Sequence, residues 1–231
     1  MYGIFAFFAT LTVYNFHALY KHTGKNVSTK KTWIQIHRKT IQLSILIGGI
    51  SAVIFVLFLV KNPMKMLPLL GFISVISFFY VVPIKGKALR EQAFMKIIYV
   101  SLVWTTILLV IPQLNERANP FEWLDISAFF CLFFAVAIPF DLRDSEIDSQ
   151  KMKTIPTYFG AKKSKIIALF VFSCSVTLFL IKHPNWLGNP IFWLAISINS
   201  LLLITASGAK KEGYYAFMDT AFGIFGLIYF W

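Results

Sequence analysis

The chain has 231 residues, of which 58% are hydrophobic and only 14% are charged. Soluble globular proteins carry about a quarter charged residues, so this composition cannot supply the polar surface of a soluble domain. The low counts of Gly (12), Pro (9) and Cys (2) exclude collagen-like, low-complexity and disulfide-scaffold proteins. We therefore predict an all-α protein whose helices cross a membrane several times.

Apolar stretches without charged residues recur along the chain, and a helix of about 20 such residues crosses a bilayer core. In chain order these stretches lie at 1–20, 40–60, 66–84, 97–115, 126–140, 166–181, 183–209 and 213–231. Strands are not expected, because no alternating pattern of about ten residues recurs. The sequence thus predicts a polytopic bundle of about eight spans that forms a single domain over 1–231.

The net charge of +12 would point to nucleic acid in a soluble protein, but cytoplasmic loops of membrane proteins also collect Lys and Arg. If the helices alternate, four connections on one side hold six, four, six and two basic residues, which is 18 of the 22. These connections are 21–39, 85–96, 141–165 and 208–213. We expect them to face the cytoplasm from the plasma (inner) membrane, and we do not expect a nucleic-acid partner.

The amino end does not follow this scheme directly. If successive helices cross the membrane in alternating directions, the first helix begins outside the cytoplasm. Met1 is nevertheless followed directly by apolar sequence, without a basic leader or a small-residue cleavage site. Either the amino end is translocated unaided, or a preceding helix is missing from this chain.

Four of the ten acidic residues crowd together after the fifth predicted span. If the helix continues, Asp141, Asp144 and Asp148 lie within about 60° of one another, and Arg143 and Glu146 lie on the other side. Three carboxylates on one face repel one another unless a cation neutralises them, and Mg²⁺ prefers such oxygen ligands. The alternative is a solvated helix end facing the basic residues of the same loop, and the spacing alone does not separate the two.

Basic residues follow the acidic ones. Lys151 and Lys153 come directly after the cluster, and Thr154 and a turn-competent Gly160 follow them. A metal ion and ammonium groups together would form a cradle for a diphosphate. The segment therefore predicts a site for a phosphorylated ligand.

Segment 141–160 resembles the second aspartate-rich motif of the UbiA superfamily of intramembrane prenyltransferases, in which D-x-x-D-x-x-x-D precedes a basic residue, Thr and Gly. The matching residues are Asp141, Asp144, Asp148, Lys153, Thr154 and Gly160. A weaker match lies in 79–87, where Tyr80, Pro83 and Lys85 are similar to the run that closes the family's fourth helix. Aligning both motifs makes the first helix here equivalent to the family's second, so the family's first helix would be missing.

The resemblance implies a helical bundle of two pseudo-repeated halves around a central cavity. It also implies transfer of a prenyl group from a prenyl diphosphate to a lipophilic acceptor, which is an aromatic compound or a quinone precursor. Mg²⁺ would be held by the three aspartates Asp141, Asp144 and Asp148. Near these two motifs, the residues expected to contact the diphosphate are Lys151, Lys153 and Lys85, and Tyr80 is expected to line the cavity.

The family's first motif, N-D-x-x-D-x-x-x-D, is degenerate in this chain. Asn15 matches, but Phe16, Leu19 and Thr23 stand where the acids belong, and no acid precedes Glu91. Half of the expected metal site is therefore absent.

Two interpretations of this loss remain open. In one, the site is rebuilt, because Tyr14, His17 and Lys21 share a helix face and can contact a diphosphate directly together with Asn15. In the other, the chain is a degenerate relative that binds an isoprenoid or membrane lipid without transferring it.

Two features within the predicted spans complete the candidates. Asp219 lies in the last span, where it either contributes to the substrate cavity or is hydrogen-bonded locally by Tyr214 or Tyr215. The pair Gly48-Gly49 is expected to allow close helix packing.

Overall fold

The computed structural model describes seven segments of the chain, namely 2–21, 29–60, 62–83, 88–116, 122–148, 153–210 and 212–230. Nearly all of these residues are helical and no strand occurs among them, which confirms the all-α fold class. The described α-helices in chain order are α1 (Tyr2–Lys21), α2 (Thr29–Ile36), α3 (Arg38–Leu59), α4 (Pro63–Val81), α5 (Met95–Thr105), α6 (Ile111–Glu116), α7 (Trp123–Asp148), α8 (Ile155–Lys182), α9 (Pro190–Thr205) and α10 (Glu212–Phe230). Short 3₁₀ turns lie at Leu89–Glu91 and Pro184–Gly188, and one π-helical segment lies at Thr106–Val110.

Six of the described helical segments are long and apolar enough to cross a membrane, which is consistent with an integral membrane protein. They are Tyr2–Tyr20, Arg38–Phe58, Pro63–Val81, Met95–Leu114, Trp123–Ser145 and Ile155–Lys182. The predicted count of about eight spans is not confirmed. The apolar helix α9 has only 16 residues, and α10 is not among the six.

The chain divides into two compact units. The first comprises Met1–Leu89 and Val110–Pro120, and in it α1 packs against α3 and α4. The contact between α1 and α3 is close at Gly48, where an added Cβ would lie 2.6 Å from Oγ1 of Thr12 and 3.1 Å from the carbonyl oxygen of Phe8. The expectation of close packing at this glycine is therefore confirmed.

The second unit comprises Arg90–Leu109 and Phe121–Trp231, and its core forms where α7 packs against α8 and α5. Buried aromatic side chains fill this core, among them Phe129, Phe172 and Phe225. Polar bonds also join its helices, because the hydroxyl of Ser175 donates to the carbonyl of Ala128 on α7 at 2.7 Å. In apolar surroundings such bonds hold helices together.

The predicted connection 141–165 is largely helical in the structure, because α7 continues to Asp148 and α8 already begins at Ile155. A capping box explains the early start of α8. The Thr154 hydroxyl accepts a hydrogen bond from the Thr157 backbone, and the Thr157 hydroxyl accepts one from the Thr154 backbone. Gly160 then interrupts the helix with φ of 77° and ψ of 164°, a conformation essentially restricted to glycine.

Candidate functional site

Charged side chains meet at the carboxyl end of α7, as the sequence predicts for Asp141 and Asp144. The helix continues through both residues, so they lie one turn apart on it. The ammonium group of Lys96, at the start of α5, faces both of them. Its Nζ lies 2.8 Å from Oδ1 of Asp141 and 3.9 Å from Oδ2 of Asp144. Asp141 is only 3% exposed, so this ion pair is largely shielded from solvent.

Arg143 neutralises the second aspartate. Its Nε donates to Oδ1 of Asp144 at 2.8 Å, although helical geometry sets Arg143 apart from the acidic face. The guanidinium group also lies over two aromatic rings, 5.2 Å from the centre of Phe140 and 5.1 Å from that of Tyr215. Sequence reasoning missed this pair, because neighbouring helical residues do not normally face each other and only the length of Arg143 permits the contact.

The backbone around Phe94 places Lys96 at the acidic pair. The N–H of Phe94 donates to the carbonyl of Lys153 at 3.0 Å, which ties the start of α5 to the segment that follows α7. Phe94 has a φ of 62°, and a positive φ is unusual for a bulky residue. Its ring contacts the rings of Tyr158 and Phe159 on α8, at centroid distances of 5.9 and 6.4 Å. Lys96 follows two positions later and therefore reaches Asp141.

The other predicted diphosphate contacts of this unit are only partly described. The side chain of Lys153 is exposed, and Thr154 is buried at the start of α8. Lys151 and Lys85 lie outside the described residues, and so does the side chain of Asp148 at the end of α7.

In the first unit, the structure brings together two of the predicted residues, His17 and Tyr80. Their rings lie 5.1 Å apart, and Nε2 of His17 is 3.0 Å from the carbonyl oxygen of Ser77, to which it donates because a carbonyl only accepts. The amide of Asn15 instead donates to the carbonyl of Leu11 on its own helix, at 2.8 Å.

The remaining residues of the predicted face on α1 are Tyr14 and Lys21. Tyr14 is 59% exposed, and the side chain of Lys21 lies outside those that the structure describes.

Asp219 lies on the exposed side of α10. The hydroxyl of Tyr214 donates to the carbonyl of Leu202, and that of Tyr215 donates to the carbonyl of Ser207 at 2.8 Å. Since each hydroxyl carries one proton, neither tyrosine donates the predicted local hydrogen bond to Asp219.

A second polar cluster, which sequence reasoning missed, lies at the amino end of α7. Asp125 is fully buried, with Oδ1 3.1 Å from Nε2 of His183 and Oδ2 2.8 Å from the hydroxyl of Tyr229, which donates to it. Trp186 stacks on the His183 ring at 4.6 Å. This cluster joins α7, the end of α8 and α10, and by helix rise it lies about 24 Å along α7 from Asp141.

The acidic pair at the end of α7 offers oxygen ligands of the kind that Mg²⁺ prefers. Within the described part of the chain, no group of three or more His, Cys, Asp or Glu side chains is placed to hold a metal ion. Asp141 and Asp144 nevertheless supply two carboxylates one helical turn apart, and Mg²⁺ is usually held by one or two carboxylates together with substrate phosphates. The donor set therefore fits Mg²⁺ that is shared with a phosphorylated ligand.

Among the described residues, the cluster of Asp141, Asp144, Lys96 and Arg143 brings two carboxylates and two cations together. Comparison of the chain with protein-family models, with curated proteins and with solved structures found no match.

Proposed function

We propose that the chain is a UbiA-like intramembrane prenyltransferase, which moves a prenyl group from a prenyl diphosphate to an aromatic or quinone-precursor acceptor. The observation that carries the proposal is the cluster at the carboxyl end of α7. Two carboxylates, Asp141 and Asp144, and two cations, Lys96 and Arg143, lie together at the end of a long apolar helix. A prenyl diphosphate matches this arrangement, because its charged diphosphate would meet the cluster and its apolar tail would lie along the apolar helix.

Each group in the cluster has a defined part in this proposal. Asp141 and Asp144, with Asp148 as the third ligand, would hold Mg²⁺, which offsets the negative charge that develops on the leaving diphosphate. Lys96 and Arg143 carry only donors, so they bind anionic oxygens through charge-assisted hydrogen bonds. The contact of Arg143 with Phe140 and Tyr215 holds its guanidinium group in place.

The location in the proposal follows from the distribution of charge. The four basic connections would face the cytoplasm from the plasma (inner) membrane, because 18 of the 22 basic residues lie in them. In this orientation the end of α7 would lie on the side where soluble prenyl diphosphates are accessible. The partners would be the prenyl diphosphate, the lipophilic acceptor and the surrounding lipid.

One observation favours a second candidate, a degenerate relative that binds an isoprenoid without transferring it. Phe16 and Leu19 stand where the family's first motif has acids, and the ring of Phe16 stacks on that of Phe78 at 5.8 Å. Apolar packing thus occurs where a second set of metal ligands would be expected.

Binding of a prenyl diphosphate tests the metal site. Purified protein in lipid nanodiscs should bind geranyl or farnesyl diphosphate with Mg²⁺ and lose this binding in EDTA, as measured by isothermal titration calorimetry. Asp144→Ala should abolish binding, because it removes a metal ligand. Glu122→Ala is the control, because Glu122 directly precedes α7, at the end opposite Asp144, and pairs there with Lys182 of α8. Binding that depends on neither the metal nor Asp144 would contradict the proposed site.

Turnover separates the two candidate functions. Protein incubated with radiolabelled prenyl diphosphate, Mg²⁺ and a set of hydroxylated aromatic acceptors should yield a prenylated product and free diphosphate. Binding without any product in this assay would favour the non-catalytic relative.

A further inference from the structure

We infer that Lys96 competes with the metal ion for Asp141 and Asp144 and thereby sets the affinity of this pair for a divalent cation. The inference rests on the metal-binding role of these aspartates in the proposed function. In the sequence, Lys96 is only one of four basic residues in the connection 85–96, and nothing there indicates a role in metal binding.

The distances show why a metal ion and the ammonium group interfere. Nζ of Lys96 lies 2.8 Å from one oxygen of Asp141 and 3.9 Å from one oxygen of Asp144, so it contacts both carboxylates that a metal would share. A divalent cation bound to the same pair would lie within a few ångströms of a positive charge. Water screens this repulsion poorly at Asp141, whose side chain is only 4% exposed, and better at Asp144, whose side chain is 34% exposed.

Lys96 is also a tethered competitor. It lies in the first turn of α5, and the hydrogen bond from the Phe94 N–H to the carbonyl of Lys153 ties that turn to the residues just before α8. A group held in this way acts at a high effective concentration. Free metal ions must therefore displace a neighbour that stays close to the carboxylates.

The arrangement has a consequence for ligand binding. A diphosphate that arrives with the metal supplies anionic oxygens, which give the displaced ammonium group a new partner. The metal and the anionic head group then strengthen each other's binding, since coupling between two ligands is reciprocal. While no phosphorylated ligand is present, Lys96 would keep Asp141 neutralised, and Arg143 pairs with Asp144.

Metal affinity without any prenyl substrate tests this role. Mn²⁺ serves as a spectroscopic probe for Mg²⁺, and electron paramagnetic resonance measures the free ion in the presence of protein in phosphatidylcholine nanodiscs. Lys96→Met should bind Mn²⁺ at least about tenfold more tightly than the wild type, because it removes a positive charge near the ligands. Lys96→Arg keeps the charge and should stay close to the wild type.

Lys182→Met is the matched control. Lys182 is also ion-paired, with Nζ 2.6 Å from Oε2 of Glu122, but it lies at the opposite end of α7 from Asp141. Its replacement should leave the Mn²⁺ affinity unchanged. Equal or weaker Mn²⁺ binding by Lys96→Met, including no binding by either protein, would overturn the inference.

A melting experiment covers the possibility that Lys96→Met folds poorly. Lys96→Gln should melt at a lower temperature than the wild type in EDTA, and Mn²⁺ should raise its melting temperature more than that of the wild type. A melting temperature that Mn²⁺ leaves unchanged in Lys96→Gln would also overturn the role of Lys96.

These measurements separate the failure of this inference from that of the proposed function. Tighter Mn²⁺ binding by Lys96→Met, with no prenyl-diphosphate binding by the wild type, would refute the prenyltransferase alone. Metal-dependent prenyl-diphosphate binding with an unchanged Mn²⁺ affinity in Lys96→Met would refute the role of Lys96 alone.

Discussion

Glu122 and Asp125 are acids at the amino end of α7, and their environments differ. Glu122 pairs with Lys182, and both side chains are about one-third exposed. Asp125 is fully buried, with His183 on one oxygen and Tyr229 on the other. An exposed ion pair contributes little to the stability of the fold. Removing a buried acceptor costs more, because its donors are then left without a hydrogen-bond partner.

At the scale of single residues, we predict that Asp125→Ala lowers the free energy of unfolding by about 1–3 kcal/mol, because His183 and Tyr229 lose their common acceptor. Glu122→Ala should cost no more than about 1 kcal/mol. Thermal or denaturant unfolding in detergent, followed by Trp fluorescence, measures both. An equal or larger loss for Glu122→Ala would contradict the assigned role of Asp125.

Individual residues also show the limit of sequence reasoning about the site. Helical periodicity correctly placed Asp141 and Asp144 on a helix that continues through the motif. Their partner Lys96 is 45 positions away, and its contact depends on how the start of α5 meets the end of α7. Local spacing contains no information on such a contact.

At the scale of elements, the close approach of α1 to α3 beside Thr12 requires a small residue at position 48. An added Cβ at Gly48 would lie 2.6 Å from Oγ1 of Thr12, whereas at Gly49 the nearest atom, Cγ2 of Thr12, would be 3.8 Å away. The first distance requires the helices or the side chain to shift, and the second is an ordinary van der Waals contact. The two adjacent glycines thus form a matched pair.

We predict that Gly48→Ala is less stable than Gly49→Ala by about 1–3 kcal/mol, the usual cost of overpacking. Both substitutions gain the same helix propensity, so their difference isolates the contact between α1 and α3. Unfolding midpoints of the two variants, measured side by side in detergent, test this. Equal midpoints would mean that α1 and α3 do not approach closely at Gly48.

The start of α8 shows how the observed bounds of a helix differ from those of its charge-free stretch. The sequence signal of the capping box, Thr154 with Thr157, lies within four residues, yet the prediction began this span at 166 because it followed charge-free stretches. Lys162, Lys163 and Lys165 interrupt the apolar pattern without ending the helix. Charge therefore delimits the apolar part of a helix, and caps delimit the helix itself.

At the scale of the whole molecule, six described helices are able to cross a membrane, and the distribution of basic residues predicts their orientation. The helix α8 permits a direct test, because exposed residues flank its apolar part. Lys163 lies in a predicted cytoplasmic connection, and Asn185 lies in the turn that follows α8.

We predict that Lys163→Cys reacts with a membrane-impermeant maleimide only after permeabilisation, whereas Asn185→Cys reacts in intact cells. The background for both variants carries Cys131→Ala and Cys174→Ala, which removes the two native thiols. Labelling is read as a mass shift on a gel. The reverse pattern would invert the orientation, and labelling of both from one side would mean that α8 does not span the membrane.

The amino-acid sequence by itself determined the helical, apolar character of the chain and the side-by-side placement of Asp141 and Asp144, because both depend on composition and on a period of 3.6 residues. Only the tertiary structure decided which groups neutralise or bury these charges. The contacts of Asp125 span 58 and 104 positions, and that of Lys96 with Asp141 spans 45. Such partners depend on how separate helices pack, which no local pattern encodes.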